Sequence, residues 1–411
     1  MSSKNLTHPG KIAPSHQNLT PNEKAIIESI RIPILRNLFT SIWRAKLRLQ
    51  FTGWLQYVPP LAVTLVIFLI AGIAGLLGGT QVANGFALVG YLLLAVEIFD
   101  LITVKFRLRP HERLPKRKDD LGLFDLMRAR HSCRSFQTRK LTSANRNELM
   151  ESVRRHSAET GLGKSPVRFE YVFEHLTVWP TVNASEFLVA IAPLGYNRLA
   201  VMDVGRSLQK IVMDATRMGL GTCWIGPGAD HKSIMQHLGD RFDPEKDHII
   251  CVCAVGYRSW FIPMFIRVFN AQISSRRLPL SSLFFADSQM KEPLNLDMSP
   301  FNRFERIYEI CQWAPSSYNG QTTRCVAVMK PNGTNAADAP CLERFDFYST
   351  TESRYYAPVA AGIWCANWEL GCEALGIYGH FAVLPADERG IQEKKDQLPR
   401  YDISWVLDEN L

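Results

Sequence analysis

The chain has 411 residues, 46% apolar and 21% charged. That is enough to bury a large core in two or three domains, with the balance of an ordinary globular protein. Its net charge of +8 makes nucleic acid or a membrane surface a candidate partner, so the placement of the charge decides. Residues 31–50 carry five Lys/Arg and no acid, residues 105–118 seven Lys/Arg and one acid; together they hold +11 and leave about −3 elsewhere, which argues against nucleic-acid binding.

Residues 1–53 read as a flexible start (HPGKIAPSHQNLTPNEK) followed by a basic amphipathic stretch, RIPILRNLF, suited to an anionic membrane surface. Leu61–Gly79 then runs 19 residues without a charge, about the thickness of a bilayer's hydrocarbon core. A second run, Val82–Val104, is apolar but for Glu97 and Asp100, and the loop between the runs is only a turn. With basic segments on both outer flanks and Trp54 and Tyr57 as interfacial aromatics, residues 54–105 predict a transmembrane hairpin with both ends in the cytoplasm. The alternative is a buried core hairpin. Glu97 and Asp100 fall at headgroup level near Lys105 in this reading; a functional intramembrane pair is the other.

A basic, Pro-containing linker follows over residues 106–120, and then mixed α/β patterning. DVGRSLQKIVMDATRMGLGTCWIG, Asp203–Gly226, predicts an amphipathic helix closed by Gly219 and a turn into a strand. Val359–Leu384 has the same shape, with Gly205 matching Gly362 and Gly219 matching Gly376 at an offset of 157. The same offset lays RFEYVF, Arg168–Phe173, on CVAVMK, Cys325–Lys330, and the helix ending at His156 on the one ending at Trp313. Such long-period self-similarity predicts one α+β unit told twice, over residues 121–285 and 286–411.

Four segments carry a resemblance. RHSCRSF, Arg130–Phe136, resembles the Arg-x-Ser-x-Arg/Lys-x-Phe opening of the FMN-dependent nitroreductase family; APSSYNGQ, Ala314–Gln321, resembles its Ala-Pro-Ser-Ser-x-Asn-x-Gln motif. Asp203–Gly226 resembles its long core helix and the turn that approaches the flavin, and RRLPL, Arg276–Leu280, its closing basic motif. The resemblance spans roughly residues 121–390, and Thr322-Thr323 depart from it where the family usually has Pro-Trp. Family members are homodimers whose two FMN sites each take the first motif from one subunit and the second from the other. At the offset of 157, APSSYNGQ falls on SAETGLGK, Ser157–Lys164, and RHSCR falls on DSQMK, Asp287–Lys291. Each half keeps one part of the site. The resemblance therefore implies a fused pseudo-dimer, one chain doing the work of a family homodimer, with one complete FMN site.

By the same resemblance, Arg130, Ser132 and Arg276 or Arg277 bind the FMN phosphate, which forked guanidinium groups suit, and His131 is a further cofactor-binding residue. Arg134 supplies a cation near the pyrimidine edge. Pro315, Ser316, Ser317, Asn319 and Gln321 line the ring and ribityl chain, and Ile225, Gly226 and Pro227 bring a backbone N–H near flavin N5. Tyr355, Tyr356 and Trp364 belong either to the pocket or to the core. As single histidines without a visible partner, His131 and His380 read from the residues alone as structural.

The implied activity passes electrons from NADH or NADPH through FMN to a small-molecule organic acceptor (nitroaromatic, quinone, enone or halogenated phenol) by a ping-pong scheme. The flavin carries the chemistry, so no catalytic acid or base is expected. A flavin sensor or membrane scaffold without turnover is the alternative. Other chemistries lack their motifs. GLGKS, Gly161–Ser165, has Ala158 where a phosphate-binding loop needs glycine and Pro166 where its helix should run. No GxSxG, HExxH or Cys/His metal spacing occurs, and the nine cysteines, with Cys251 and Cys253 on one face of a strand, fit a reducing compartment.

Overall fold

The computed structural model describes residues 27–174, 176, 178–226, 229–274, 276–330, 341–390 and 397–408. The first 26 residues and Pro227 of the expected flavin-side turn lie outside them. Helix α1, Pro33–Phe51, begins on the proline that its first turn tolerates and exposes Ile34, Leu38, Phe39 and Ile42 alongside its cations. Helices α2, Val58–Leu76, and α3, Thr80–Asp100, then pack as a hairpin long and apolar enough to cross a membrane. Most of their apolar side chains are exposed, Leu65, Leu69 and Leu92 among them. The two acids of α3 are both engaged. Glu97 accepts from Thr64 of α2 at 3.4 Å, and Asp100 leaves the hairpin to accept a backbone N–H from Met264 at 2.6 Å.

The expected linker has no regular secondary structure, yet it is pinned to the body. Arg109 and Glu112, both nearly inaccessible, pair at 3.5 Å; Arg109 donates to Ser259 Oγ at 2.8 Å, and Glu112 accepts the Trp260 N–H at 2.6 Å. Within a charged run that stays largely exposed, these two side chains are buried because their charges and hydrogen bonds are satisfied.

The body is mixed α+β. Helices α4, Leu123–Ala129, and α5, Ser143–Ser157, precede strands β1, Arg168–Phe173, and β2, Glu186–Pro193. Helix α6, Arg198–Arg217, is capped by Asn197, whose side chain accepts from the backbone of Leu199 and Ala200. Strand β3, Gly221–Ile225, helix α7, His231–Leu238, and strand β4, Asp247–Gly256, complete an antiparallel sheet in the order β1-β2-β4-β3. Helix α8, Met264–Ser274, leads to β5, Phe284–Phe285, and α9, Glu305–Gln312. Strands β6, Thr323–Met329, and β7, Leu342–Ser349, helix α10, Tyr356–Leu375, and strands β8, Gly379–Ala382, and β9, Arg400–Leu407, follow. They form the second sheet, β5-β6-β7-β9-β8, antiparallel except for β5 on β6.

Helices α6 and α10 cross at the centre, between the two sheets' cores, and the crossing explains two glycines. A Cβ on Gly205 would meet the Val359 carbonyl oxygen at 2.3 Å, and one on Gly362 would meet that of Met202 at 1.9 Å. No side chain fits between these backbones. Beyond each helix end, Gly219 and Gly376 take φ of +80° and +67°, the left-handed turn that stops a helix before the next strand. Cys251 and Cys253 share one core cluster, and no group of metal-binding side chains forms among the described residues.

Candidate functional site

After α4 the RHSCRSF segment runs extended along the free edge of β3. Ser132 bridges Thr222, Cys133 N–H donates to Thr222 O at 2.8 Å, and Val182 N–H donates to Arg134 O at 2.9 Å. Alternation in an extended chain puts Cys133 in the sheet's core and Arg130, Ser132 and Arg134 on the other side. His131 is exposed, with Nδ1 3.2 Å from the carbonyl of Ala129.

The second motif follows α9. Tyr318, Asn319 and Gln321 have φ of 51°, 55° and 45°, left-handed backbone that is uncommon outside glycine and strained for a tyrosine. Ser316 Oγ, accepting the Gln321 N–H at 2.9 Å, closes this turn. Its amide side chains hold the Arg276-Arg277 strap: Asn319 Nδ2 and Gln321 Nε2 donate to Arg276 O at 2.8 and 3.1 Å, and Gln321 Oε1 accepts the Leu278 N–H at 2.8 Å. The strap in turn places Arg277, whose Nη1 donates to Ala314 O at 3.1 Å while its guanidinium lies 5.2 Å from the Trp313 ring centre. Arg276 is exposed. Of the two arginines, Arg277 is the one that turns inward.

Arg277 faces Arg130. Burial, then the charges of Arg277 and Arg134, push Arg130 down to about 10, and burial lowers Arg277 as well. Arg130 Nη1, Arg134 Nε and Arg277 Nε are each buried without a hydrogen-bond partner, and no carboxylate pairs with any of the three among the described residues. Buried guanidinium N–H groups left open in this way are costly unless an anion completes them.

Beside this cluster, Ile225 is buried at the end of β3 and Gly226 packs against Tyr356, whose ring would lie 3.0 Å from a Cβ there. Pro315, Ser316, Gln321, Thr322 and Trp364 border a cavity of about 10 Å³, roughly one water, behind the turn. Thr322 Oγ1 and Trp364 Nε1, both buried, have no partner there, and Thr323 is the buried start of β6. Trp364 is a core residue, whereas Tyr356 is 42% exposed and Tyr355 stacks on His248 at 5.0 Å. Ser317 falls in the exposed-side 3-10 turn Ser317–Asn319.

Two neighbours of Arg134 were not expected. Asn270 Oδ1 accepts from Arg134 Nη1 at 2.5 Å, and the Phe269 ring centre lies 5.3 Å from the Arg134 guanidinium. Both belong to α8, at the end of a mostly apolar run, WFIPMFIRVFN, that carries no motif. Tyr318 was the variable position of its motif, and only its left-handed backbone marks it.

At the positions 157 residues away the chemistry differs. Glu159 pairs with Lys210 at 2.6 Å, and Arg206 pairs with Glu369 at 2.6 Å, filling the space beside α6 with satisfied ions. Asp203 accepts the N–H groups of Leu162 and Gly163 at 2.6 and 2.8 Å, so the Gly-rich GLGKS loop is held by a carboxylate. Asp287 accepts backbone N–H groups from Gln289, Lys291 and Glu292 in a closed turn.

Two sheets flanking a crossed helix pair, with the motif segments meeting at their edges, define an α+β protein of nitroreductase-like fold. The family model described as "Putative TM nitroreductase" matches residues 122–346, more than half of the chain, and the chain belongs to that nitroreductase family. Among solved structures it is similar to a "putative nitroreductase" from Thermotoga maritima MSB8, at 16% identity over 74% of this chain and 99% of that one, with a TM-score of 0.41. It is also similar to a nitroreductase with bound FMN from Bacteroides fragilis NCTC 9343, at 17% identity over 34% and 89% of the two chains, TM-score 0.28. A third, a nitroreductase with bound FMN from Desulfitobacterium hafniense DCB-2, shares 17% identity over 35% and 93%, TM-score 0.28. No curated protein matches the chain.

Proposed function

We propose that this chain is a membrane-anchored FMN-dependent oxidoreductase that takes electrons from NADH or NADPH and passes them to an organic acceptor. In this reading it is an internally duplicated pseudo-dimer with one flavin site, its body held on the cytoplasmic side by the hairpin. The observation that carries it is the convergence of Arg130 and Arg134 of the first motif with Arg277 of the strap that the second motif holds, each with a buried N–H left open. A dianionic phosphate fits such a donor set better than any neutral ligand. When bound, FMN supplies the hydride chemistry.

The chain's own residues bind and orient. Arg130, Ser132 and Arg277 would hold the phosphate, and Arg134 would place a positive charge beside the ring, where it favours the reduced, anionic form. Pro315, Ser316 and Ser317 would line the ring and ribityl chain; Asn319 and Gln321 act through the strap that positions Arg277. Ile225 and Gly226 would offer backbone close to the ring. At the offset of 157, Asp287 stands in place of Arg130 and Glu159 in place of Ser316, so a second phosphate would meet carboxylates. That supports one flavin per chain. Exposed apolar faces on α2 and α3 and the basic flanks support the anchor.

The experiment is the absorption spectrum and flavin-to-chain ratio of the detergent-purified protein, followed by anaerobic NADH or NADPH. One FMN per chain, bleached by a nicotinamide, is expected. Two per chain would refute the single site, and a colourless protein that cannot be reconstituted would refute the flavoprotein. The Tyr356 ring over Gly226 narrows the room for a nicotinamide and favours a second reading, a flavin-binding sensor. A bound flavin that no nicotinamide reduces would establish it.

A further inference from the structure

Helix α8 joins the hairpin to the candidate site. At its start, Met264 N–H is held by Asp100 at the foot of α3, and just before it the Phe261 ring lies 6.2 Å from that of Phe99. It packs against α2, α3 and the turn Leu55–Tyr57 on one side and against the turn Ser317–Asn319 on the other. Six residues after Met264, about 9 Å along a helix, Asn270 holds Arg134. The site is therefore attached to the membrane-side end of the body.

The surface around this junction is apolar and basic. Trp260 is 82% and Val268 52% exposed, and in the segment that leaves α3 Phe106 and Leu108 are exposed at 59% and 68%. Lys105, Arg107 and Arg267 are interspersed, and Lys105 Nζ lies 4.6 Å from the Trp54 ring centre. Exposed aromatic and aliphatic side chains mixed with cations, continuous with two apolar helices, match the layer where headgroups meet acyl chains. Water alone would leave this patch as uncompensated apolar surface.

We propose that α8 and the segment before it lie in the interfacial layer of the bilayer as a collar around the hairpin's foot. The mouth of the site then opens to the membrane, and its electron acceptor is a lipid-soluble molecule that enters from the bilayer. The acceptor class rests on the flavin-dependent reading above; the seating of α8 does not.

Two measurements on the full chain in nanodiscs of mixed zwitterionic and anionic lipid separate these claims. A nitroxide on Val268→Cys should collide with dissolved oxygen more than with a water-soluble nickel chelate, while one on Lys246→Cys, exposed on the body, should show the reverse. Equal nickel access at both positions would overturn the collar. Val268→Asp should then lower kcat/KM for a bilayer-dissolved quinone at least tenfold, with less than a twofold change for a water-soluble nitroaromatic and unchanged flavin content. Equal effects on both acceptors would overturn the acceptor class. A chain without flavin would fail the parent reading while the nitroxide result still decides the collar.

Discussion

Replacing Arg130 with methionine should move stability and flavin binding in opposite directions. A base whose folded value lies below its unfolded one costs stability while protonated. With Arg130 pushed down to about 10, that cost is fully present below pH 10 and relieved as the pH rises toward the ordinary arginine value. It amounts to on the order of 3 kcal/mol. Methionine keeps most of the volume and packs adaptably, so the flavin-free variant should gain about 1–2 kcal/mol once lost contacts are counted. The phosphate, however, loses a charge-assisted hydrogen bond worth about 1.5–3 kcal/mol, which raises the FMN Kd roughly 10- to 150-fold. Thermal unfolding of stripped and flavin-loaded protein in detergent reads both: the stripped variant melts higher than wild type, the loaded one lower. A stripped variant that melts below wild type, or an unchanged FMN Kd, would refute the anion-cradle argument.

Gly362→Ala should destabilise the body by about 1–2 kcal/mol, since overpacking costs about 1–3 and the gain in helix propensity returns up to about 1; denaturant unfolding checks this, and an unchanged midpoint would contradict the backbone contact at 1.9 Å. His156 gives a pH signature. Burial opposes its proton, but the carboxylates of Asp214 and Glu159 more than offset that and hold it above its ordinary 6.5. Its stabilisation is fully present below 6.5 and lost as the pH rises through the folded value, so a falling melting temperature above neutrality should vanish in His156→Gln. Asn270→Asp sets a carboxylate on Arg134 and should lower the flavin midpoint potential by ~30 mV or more, read by dye equilibration, for each ~1.4 kcal/mol of lost preference for the reduced form.

Much of this was legible because it is written locally. Apolar runs of bilayer length, a helix stopped by Gly219 or Gly376, and alternation in RFEYVF each leave a period or a breaker in the sequence. The convergence of RHSCR, RRLPL and APSSYNGQ was legible only through resemblance, since nothing in their spacing says they meet. What stayed hidden was partner choice across the fold. Arg109 and Glu112 look solvated until Ser259 and Trp260 are brought to them. Asp100 reads as a headgroup-level acid, yet its carboxylate starts α8. Asn270 sits at the end of a mostly apolar run with no turn or motif, and only the docking of α8 gives it Arg134.

The two crossing helices and the site answer to different constraints. At the crossing, Gly205 must admit α10 and Gly362 must admit α6, because each backbone meets the other; a side chain on either would part them. The demand is symmetric, so both helices have to meet it. The site's demand is not symmetric. A phosphate needs one cluster of open guanidinium groups, and the equivalent space must otherwise be made stable without a ligand. Glu159, Lys210, Arg206 and Glu369 do that by pairing among themselves, which leaves no charge open when no cofactor is present. Arg130, Arg134 and Arg277 do the opposite and leave charge uncompensated until an anion arrives. Open cations on one side and closed ion pairs on the other are what the proposed single flavin site would require.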